Sequence, residues 1–300
     1  MAWKGLHLSR PARLALKNSQ IAVNIDDEPE VRLPLEDVAW IVIDTPQCTI
    51  TSAMISACMA EGIAIVFTDA THTPSGLALP FHRHFKTAEA AQVQVSLSAP
   101  LKKRLWQRIV RQKILNQAAA LDAFARPGAG TLREMAKLVG SGDPDNVEAR
   151  AAREYWGKFW SQFRREDGGD RRNGLLNYGY AVVRSGVARS LVAAGLIPAF
   201  GLMHASVSNA FNLADDIVEP FRPVVDALAR RTMGETADIR DDGETSLADR
   251  RAMAQALLEN CSVDGETLNL LTACERAALS LVKAMSEGEA EALSLPVLGP

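Results

Sequence analysis

The apolar positions of the chain change period near residue 75. Before that point they alternate or run in short β-branched stretches. Ala12 to Leu16 and Ile21 to Ile25 alternate on either side of Lys17-Asn18-Ser19-Gln20, which predicts a hairpin. Val38 to Ile43 and Ile63 to Phe67 are apolar runs of strand length. Ser52 to Glu61, rich in Ala, Met and Ile, predicts a short helix stopped by Gly62. Residues 1–75 therefore predict a small β-rich domain with one helix. No titratable cluster of the kind catalysis needs is evident in it, which favours a scaffold or dimerisation role.

Asp69, Thr71, Thr73, Pro74, Ser75, Gly76 and Pro80 read as loop, and a linker is expected over 76–86. From there the spacing becomes helical, from about Ala88 to Phe124, Val147 to Phe163, Leu175 to Ala194, Ser208 to Arg231, Ser246 to Asn260 and Glu266 to Ser286. Residues 87–300 predict an all-α domain. The fold class expected is α+β, a small N-terminal β-rich domain followed by a larger all-α catalytic domain. Trp156, Phe159, Trp160 and Phe163 recur at three and four and read as core stripe.

With 47% hydrophobic residues, cores of ordinary size can form without covalent help. The four cysteines lie far apart, with no disulfide or zinc spacing, and read as reduced thiols. Met1 to Gly5 does not begin like a secretory signal, and no stretch has the length and apolarity of a membrane span. A cytoplasmic protein without membrane contact is expected. The net charge of −3 hides a division: residues 76–233 hold 23 Lys/Arg against 14 Asp/Glu, and both flanks are acidic. Lys102, Lys103, Arg104, Arg108, Arg111 and Lys113 follow one another with no acid between them. They share a segment with the helically spaced Leu101, Leu105, Trp106, Ile109, Val110 and Ile114. The positive face is either a solvated surface or a phosphate-facing one, and the lack of local acids favours phosphate.

Three places carry side chains suited to divalent ions. Glu148 follows Ser141-Gly-Asp-Pro-Asp-Asn-Val, where it could instead close a capping box with Asp145 as N-cap. His204 ends Gly195-Leu-Ile-Pro-Ala-Phe-Gly-Leu-Met-His204, as a core histidine or a ligand. Asp215, Asp216 and Glu219 repel one another unless a cation or arginines sit among them, Arg222 being the nearest partner. In one straight helix His204 and Glu219 would lie roughly 22 Å apart. A shared site demands a break, and Ser206, Ser208, Asn209 and Asn212 are residues that could cap a new helix there.

Taken in order, Glu148, Arg171-Arg-Asn-Gly-Leu-Leu-Asn-Tyr-Gly-Tyr180, the segment ending at His204, and Leu213-Ala-Asp-Asp-Ile-Val-Glu-Pro-Phe-Arg-Pro223 resemble the spacer-acquisition integrases of CRISPR systems, the Cas-one family. Length and the Glu-Pro-Phe-Arg-Pro run are most similar to type II members. The resemblance implies a divalent-metal-dependent DNA endonuclease and integrase that joins protospacer 3′-hydroxyls to the CRISPR repeat by transesterification. It implies catalytic and metal roles for Glu148, His204 and Glu219, with Asp216 as auxiliary. Many relatives bear Asp where this chain has Glu219, so the resemblance leaves open which of Asp216 and Glu219 contacts the ion directly. Mg²⁺ or Mn²⁺ suits that donor set.

The expected partners are double-stranded DNA (protospacer and repeat), a second copy of the chain, and a small Cas-two subunit bridging two dimers. The effector nuclease of type II systems is a further candidate. DNA contacts are expected from Lys102, Lys103, Arg104, Arg108, Arg111 and Arg222. Asn177 and Tyr178 either pack a helix or position a nucleotide, and His82, Arg83 and His84 either touch phosphates or belong to a linker. Two other classes stay open: a non-catalytic DNA scaffold, and an isoprenoid synthase holding Mg²⁺ through Asp-Asp-Ile-Val-Glu, which would need a second acidic motif and no β domain.

Overall fold

The computed structural model describes residues 3–81 and 84–299. The chain divides into two units, Met1–Phe85 and Lys86–Pro300. His82 and Arg83 lie outside the described residues, so the expectation about them is not addressed.

The first unit holds β1 (Lys4–Leu8), β2 (Ala12–Lys17), β3 (Gln20–Asn24), β4 (Val31–Pro34), β5 (Val38–Ile43), β6 (Cys48–Ile50), α1 (Ser52–Glu61), β7 (Ala64–Thr68) and β8 (Pro74–Ala78). One sheet has the order β1-β5-β7-β8, with β1, β5 and β7 parallel and β8 antiparallel to β7. The other has the order β4-β3-β2-β6. Every residue of β5 is buried, as its continuous β-branched run requires of a strand covered on both faces. The β2–β3 hairpin turns at Asn18 and Ser19, both at positive φ (50° and 58°), a conformation that matches the twist of the strands it joins. Leu14, Ile21 and Val23 from one sheet, Val38, Ile41 and Ile65 from the other, and Met54 and Cys58 from α1 share one core.

Two expectations are corrected here. The Pro-, Ser- and Gly-containing stretch at 74–78, read as loop, is edge strand β8, a position where proline's missing donor faces no partner. The unit also gathers a titratable cluster. Asp44, fully buried after β5, stands 3.0 Å from His7 Nε2 and 2.7 Å from His72 Nδ1. The three come from separate segments, so no local pattern announced them.

The second unit holds α2 (Thr87–Val95), α3 (Ala99–Ala123), α4 (Ala129–Leu138), α5 (Val147–Phe159), α6 (Arg171–Ala193), α7 (Asn212–Val218), α8 (Arg222–Met233), α9 (Leu247–Ala254), β9 (Asn260–Val263), β10 (Glu266–Asn269) and α10 (Leu270–Glu287). The α+β class holds, and the helical unit additionally carries the β9–β10 hairpin, which takes in Asn260 from one expected helix and Glu266–Asn269 from the next. The helix expected from Ala88 breaks at Ser96–Ser98, and Pro100 opens α3 in the first turn, where its missing N–H costs nothing. Leu101, Leu105, Trp106, Ile109, Val110 and Ile114 are buried along α3 as their spacing predicts. The stripe from Trp156 to Phe163 is core: Phe159 and Trp160 are buried, and Trp156 stacks on Trp160.

Helix α6 is buried on most sides and runs through the middle of this unit, against α7, α8, α9 and α10. It approaches α8 closely at Gly179, where an added Cβ would lie 2.5 Å from Val225 Cγ1 and 3.2 Å from Met253 Sδ. Val225 is buried and β-branched, so it cannot turn aside. Gly179→Ala is expected to destabilise the chain by about 1–3 kcal/mol through overpacking, read as a lower urea midpoint at unchanged slope. An unaltered midpoint would show that the α6–α8 contact is looser than described.

Candidate active site

Between α6 and α7, residues 195–211 form neither helix nor strand, which supplies the break that a shared site demands. Polar side chains shape this segment. Buried Gln94 of α2 donates Nε2 to the carbonyls of Ile197 (2.9 Å) and Phe200 (2.7 Å), and its Oε1 accepts from Ile197 N (3.0 Å). Asn212 donates to the carbonyls of Ala199, Ser206 and Asn209 and accepts from Ser206 N. The capping anticipated from Ser206, Ser208, Asn209 or Asn212 is therefore replaced. Phe211 is the N-cap residue with no side-chain cap, and Asn212 braces the loop instead.

Asp216 closes the loop onto α7. Its carboxylate, wholly buried, accepts from the backbone N–H groups of Leu202 (2.5 Å), Met203 (3.2 Å) and His204 (3.1 Å), and its Oδ1 lies 2.7 Å from His204 Nδ1. Gly201 makes this approach possible, since a Cβ there would stand 2.2 Å from His204 O and 2.8 Å from Asp216 Oδ2. The hydrogen bond that His204 donates to Asp216 raises the His204 pKa, against partial burial. With Nδ1 held, Nε2 is the nitrogen His204 can offer to a ligand. Its ring edge packs against Trp106 of α3, centroids 5.7 Å apart.

Glu148 sits in the first turn of α5, and the capping expected of it belongs to another residue. Asp143 accepts from Val147 N (2.9 Å) and Glu148 N (3.0 Å), neutralising the helix start, while Asn146 is the N-cap residue and makes no side-chain cap. Glu148 is thereby released to accept from Lys113 Nζ at 2.6 Å. Glu219 begins the 3-10 turn Glu219–Phe221 between α7 and α8, where Pro220 and Pro223 prevent one continuous helix. Buried Asn116 of α3 holds that turn by donating to Pro220 O at 2.7 Å. One turn earlier on the same face, Lys113 Nζ lies 2.5 Å from Glu219 Oε2, and Arg222 Nε lies 3.0 Å from Glu219 Oε1.

Burial would raise the Glu219 pKa, but Lys113 and Arg222 outweigh it and hold the carboxyl down to about 2. Burial would likewise lower Lys113, and Glu219 and Glu148 reverse that to a net rise. The pair is ionised. Glu219 Oε2 is nevertheless a buried oxygen that receives no well-aimed hydrogen bond, although the ammonium is within contact.

The repulsion expected among Asp215, Asp216 and Glu219 is relieved by giving each its own partner. Asp215 takes Arg184 (Nη2 to Oδ2, 2.8 Å) and Asn209 (2.7 Å). Asp216 takes the loop amides and His204, and Glu219 takes Lys113 and Arg222. Beside them opens a cleft of about 360 Å³ lined by Arg165, Asn177, Tyr180, Arg184, His204 and Arg222. Arg165 donates to Asn177 Oδ1 at 2.6 Å, and Arg222 lies over the Tyr180 ring at 4.7 Å.

Among the expected DNA-contacting residues, Asn177 and Arg222 reach this cleft, whereas Tyr178 is buried at 2% exposure and Tyr180 lines the cleft in its place. The reason is helical geometry, because Asn177, Tyr180, Ala181 and Arg184 share one face and Tyr178 does not. Lys103, Arg104 and Arg111 of α3 are exposed and Lys102 is half-buried. Arg108 is engaged, donating to Leu293 O at 2.7 Å and pairing with Glu291. Acids absent from the local sequence thus arrive from the far end of the chain. Lys113, Arg165 and Arg184 were missed as site residues. Their basic character was visible, but only the packing of α3 and α6 brings them to the acids.

Among the described residues, no three His, Cys, Asp or Glu side chains stand close enough to form a ready ion cage. Two carboxylates, Glu148 and Glu219, do converge on one cation, the Lys113 ammonium, and Glu219 Oε2 is buried without a well-aimed hydrogen bond. With the His204 imidazole nearby, this donor set fits a hard divalent ion such as Mg²⁺ or Mn²⁺.

Residues 6–255 match the family model described as CRISPR associated protein Cas1. The chain is 35% identical to the CRISPR-associated endonuclease Cas1 of Neisseria meningitidis serogroup C (strain 8013), over 100% of this chain and 98% of that one. A solved casposase bound to integration product superposes with a TM-score of 0.76 at 18% identity, over 96% of this chain and 92% of that one. A chain of a Cas6-RT-Cas1–Cas2 complex does so with a TM-score of 0.74 at 20% identity, over 97% of this chain and 36% of that one. At such identities the structural matches establish the fold alone.

Behind the site, Tyr155 and Tyr180 both donate to the buried Asp226 carboxylate, Tyr155 at 2.9 Å. Burial pushes the Asp226 pKa up to about 7 from 3.8, although both tyrosines work against the rise. Between about pH 4 and about pH 7 the folded chain therefore keeps a proton that the unfolded chain releases, and stability falls as pH rises through that window. Asp226→Asn cannot titrate and keeps a similar shape. Its denaturation free energy relative to the parent is expected to improve steadily from pH 4 to pH 7. A difference that stays constant across those pH values would contradict the raised pKa.

Proposed function

The chain belongs to the CRISPR associated protein Cas1 family, and on that premise we propose that it is a divalent-metal-dependent DNA nuclease and integrase of CRISPR adaptation. It joins the 3′-hydroxyl of a protospacer to the CRISPR repeat. The observation that carries this reading is the convergence of Glu148 and Glu219, from separate helices, on one buried cation position beside a cleft lined by three arginines.

In the proposed reaction the 3′-oxygen attacks a repeat phosphorus, one phosphodiester forms, and the displaced 3′-oxygen of the repeat leaves with a proton. Glu148, Glu219 and His204 Nε2 would hold Mg²⁺ or Mn²⁺, which when bound supplies Lewis acidity to the phosphate and the departing oxygen. Asp216 acts as the orienting partner of His204 and Glu219 as the direct ligand. Asp216 already accepts from three amides and an imidazole, whereas Glu219 Oε2 faces the Lys113 ammonium, which a metal ion could replace. Arg165, Arg184 and Arg222 would bind backbone phosphates in the cleft and hold the strand in line. Lys102, Lys103, Arg104 and Arg111 would track the duplex further along α3, Arg108 contributing less because Glu291 already engages it.

The partners proposed are protospacer and repeat DNA, a second copy of the chain associating through the β-rich unit, and a small Cas2 subunit bridging two such dimers. The type II effector nuclease is proposed as a further partner. The Cas6-RT-Cas1–Cas2 complex and the casposase bound to integration product among the structural relatives support that direction. No helix among the described residues is long and apolar enough to cross a membrane.

Strand transfer tests the proposal. With a repeat-bearing plasmid, a short duplex, Mn²⁺ and the small partner, Glu148→Ala, His204→Ala and Glu219→Ala are each expected to reduce junction formation by about a hundredfold or more. Duplex affinity should change by less than about threefold, since none of the three supplies a phosphate-binding cation. An inactive parent that binds DNA normally would leave a non-catalytic scaffold instead.

A further inference from the structure

Lys113 is the residue for which the proposed chemistry has no assigned part. Its ammonium lies 2.6 Å from Glu148 Oε1 and 2.5 Å from Glu219 Oε2, and its side chain is 13% exposed. Two carboxylates drawn together in a shielded setting repel unless a cation lies between them. The other cation at Glu219, Arg222, reaches the opposite oxygen. Among the described residues, Lys113 is the cation that spans the pair. It does so from α3, a long helix fixed by its apolar face and by Asn116, so its tethering point cannot drift.

We infer that Lys113 is a built-in counter-cation, which holds Glu148 and Glu219 in register in the metal-free chain and gives up both carboxylates when a divalent ion binds. The inference rests on the metal-dependent reading above and adds a competitor within it. The charge count supports it. Glu148, Glu219, Lys113 and Arg222 sum to zero, so a divalent ion added to the intact cluster would leave two uncompensated positive charges in a largely buried place. Withdrawal of a flexible lysine removes one of them from between the acids. Four rotatable bonds make that withdrawal easy for lysine, whereas a guanidinium at the same point would stay engaged through several fixed donors. The released ammonium, still tethered beside the cleft of arginines, would be available to a DNA phosphate.

Binding of Mn²⁺ alone, by calorimetry without DNA, tests the inference. Lys113→Met keeps the stem and removes the competing charge, and is expected to bind Mn²⁺ about tenfold more tightly than the parent. Lys113→Arg, which keeps the charge, should bind no more tightly than the parent. A second measurement needs no variant. Brief acylation of the parent, read by mass spectrometry, should modify Lys113 several times faster with Mn²⁺ than with chelator, while Lys102 and Lys103 react equally in both. Equal or weaker Mn²⁺ binding by Lys113→Met, or protection of Lys113 that persists with Mn²⁺ bound, overturns the inference and leaves the metal site standing. Absence of Mn²⁺ binding in the parent and in Lys113→Met alike overturns the metal-dependent reading, and the inference with it.

Discussion

Everything at the site depends on one buried carboxylate. Asp216 binds three successive backbone amides and the His204 imidazole, and in doing so folds a proline- and glycine-broken loop back over the helix that carries the other acids. Hydrogen bonds to a charged acceptor contribute about 1.5–3 kcal/mol each where the alternative is a buried unsatisfied group, so the clamp is strong enough to dictate the loop path. Without it, His204 would have no reason to approach Glu219, since chain distance alone separates them. Gly201 follows from the same constraint, because the loop can come this close only where there is no side chain.

The acids flanking Glu148 and Glu219 have partners of their own and do not draw on Lys113. Asp215 is matched by Arg184 and Asp143 by a helix start, and each is satisfied locally. Glu148 and Glu219 differ, meeting at a single ammonium. Desolvation makes such an arrangement expensive, and an apolar substitute of the same volume would commonly be no less stable. The metal site proposed above would give this largely buried arrangement a role other than stability.

The legible parts of the sequence were those where one local rule decided the outcome. Ser52–Glu61 stopping at Gly62, the all-apolar β5, the Asn18-Ser19 turn and the buried face of α3 follow from periodicity and turn chemistry. Of the site, Glu148, His204, Asp216 and Glu219 could be named from ordered motifs. Their division of labour could not, because it is set by partners distant in the chain. Glu148 looked like a capping residue until Asp143 was found in that role. Tyr178 was a candidate for a nucleotide contact, but the cleft-facing side of α6 carries Tyr180 instead. Strand β8 and the β9–β10 hairpin were obscured for another reason: edge pairing tolerates proline, serine and charged residues that weigh against a strand when read alone.

Helix α3 shows why the local excess of positive charge is an incomplete guide to binding. Its cations face three different surroundings. Arg108 is tied to the C-terminal segment, Lys113 to the two acids, and Lys103 and Arg111 stand exposed. In the proposed DNA complex a phosphate backbone would attract all of them, but the exposed ones would bind it without first breaking an ion pair and so would set the salt dependence of affinity. Lys113 belongs to the other group. Any energy it gains from DNA must exceed what it loses at Glu148 and Glu219, and that balance changes sign only when another cation takes over the acids. One helix can therefore supply unconditional DNA attraction along its exposed face and a conditional contact at the site, with no change in its backbone.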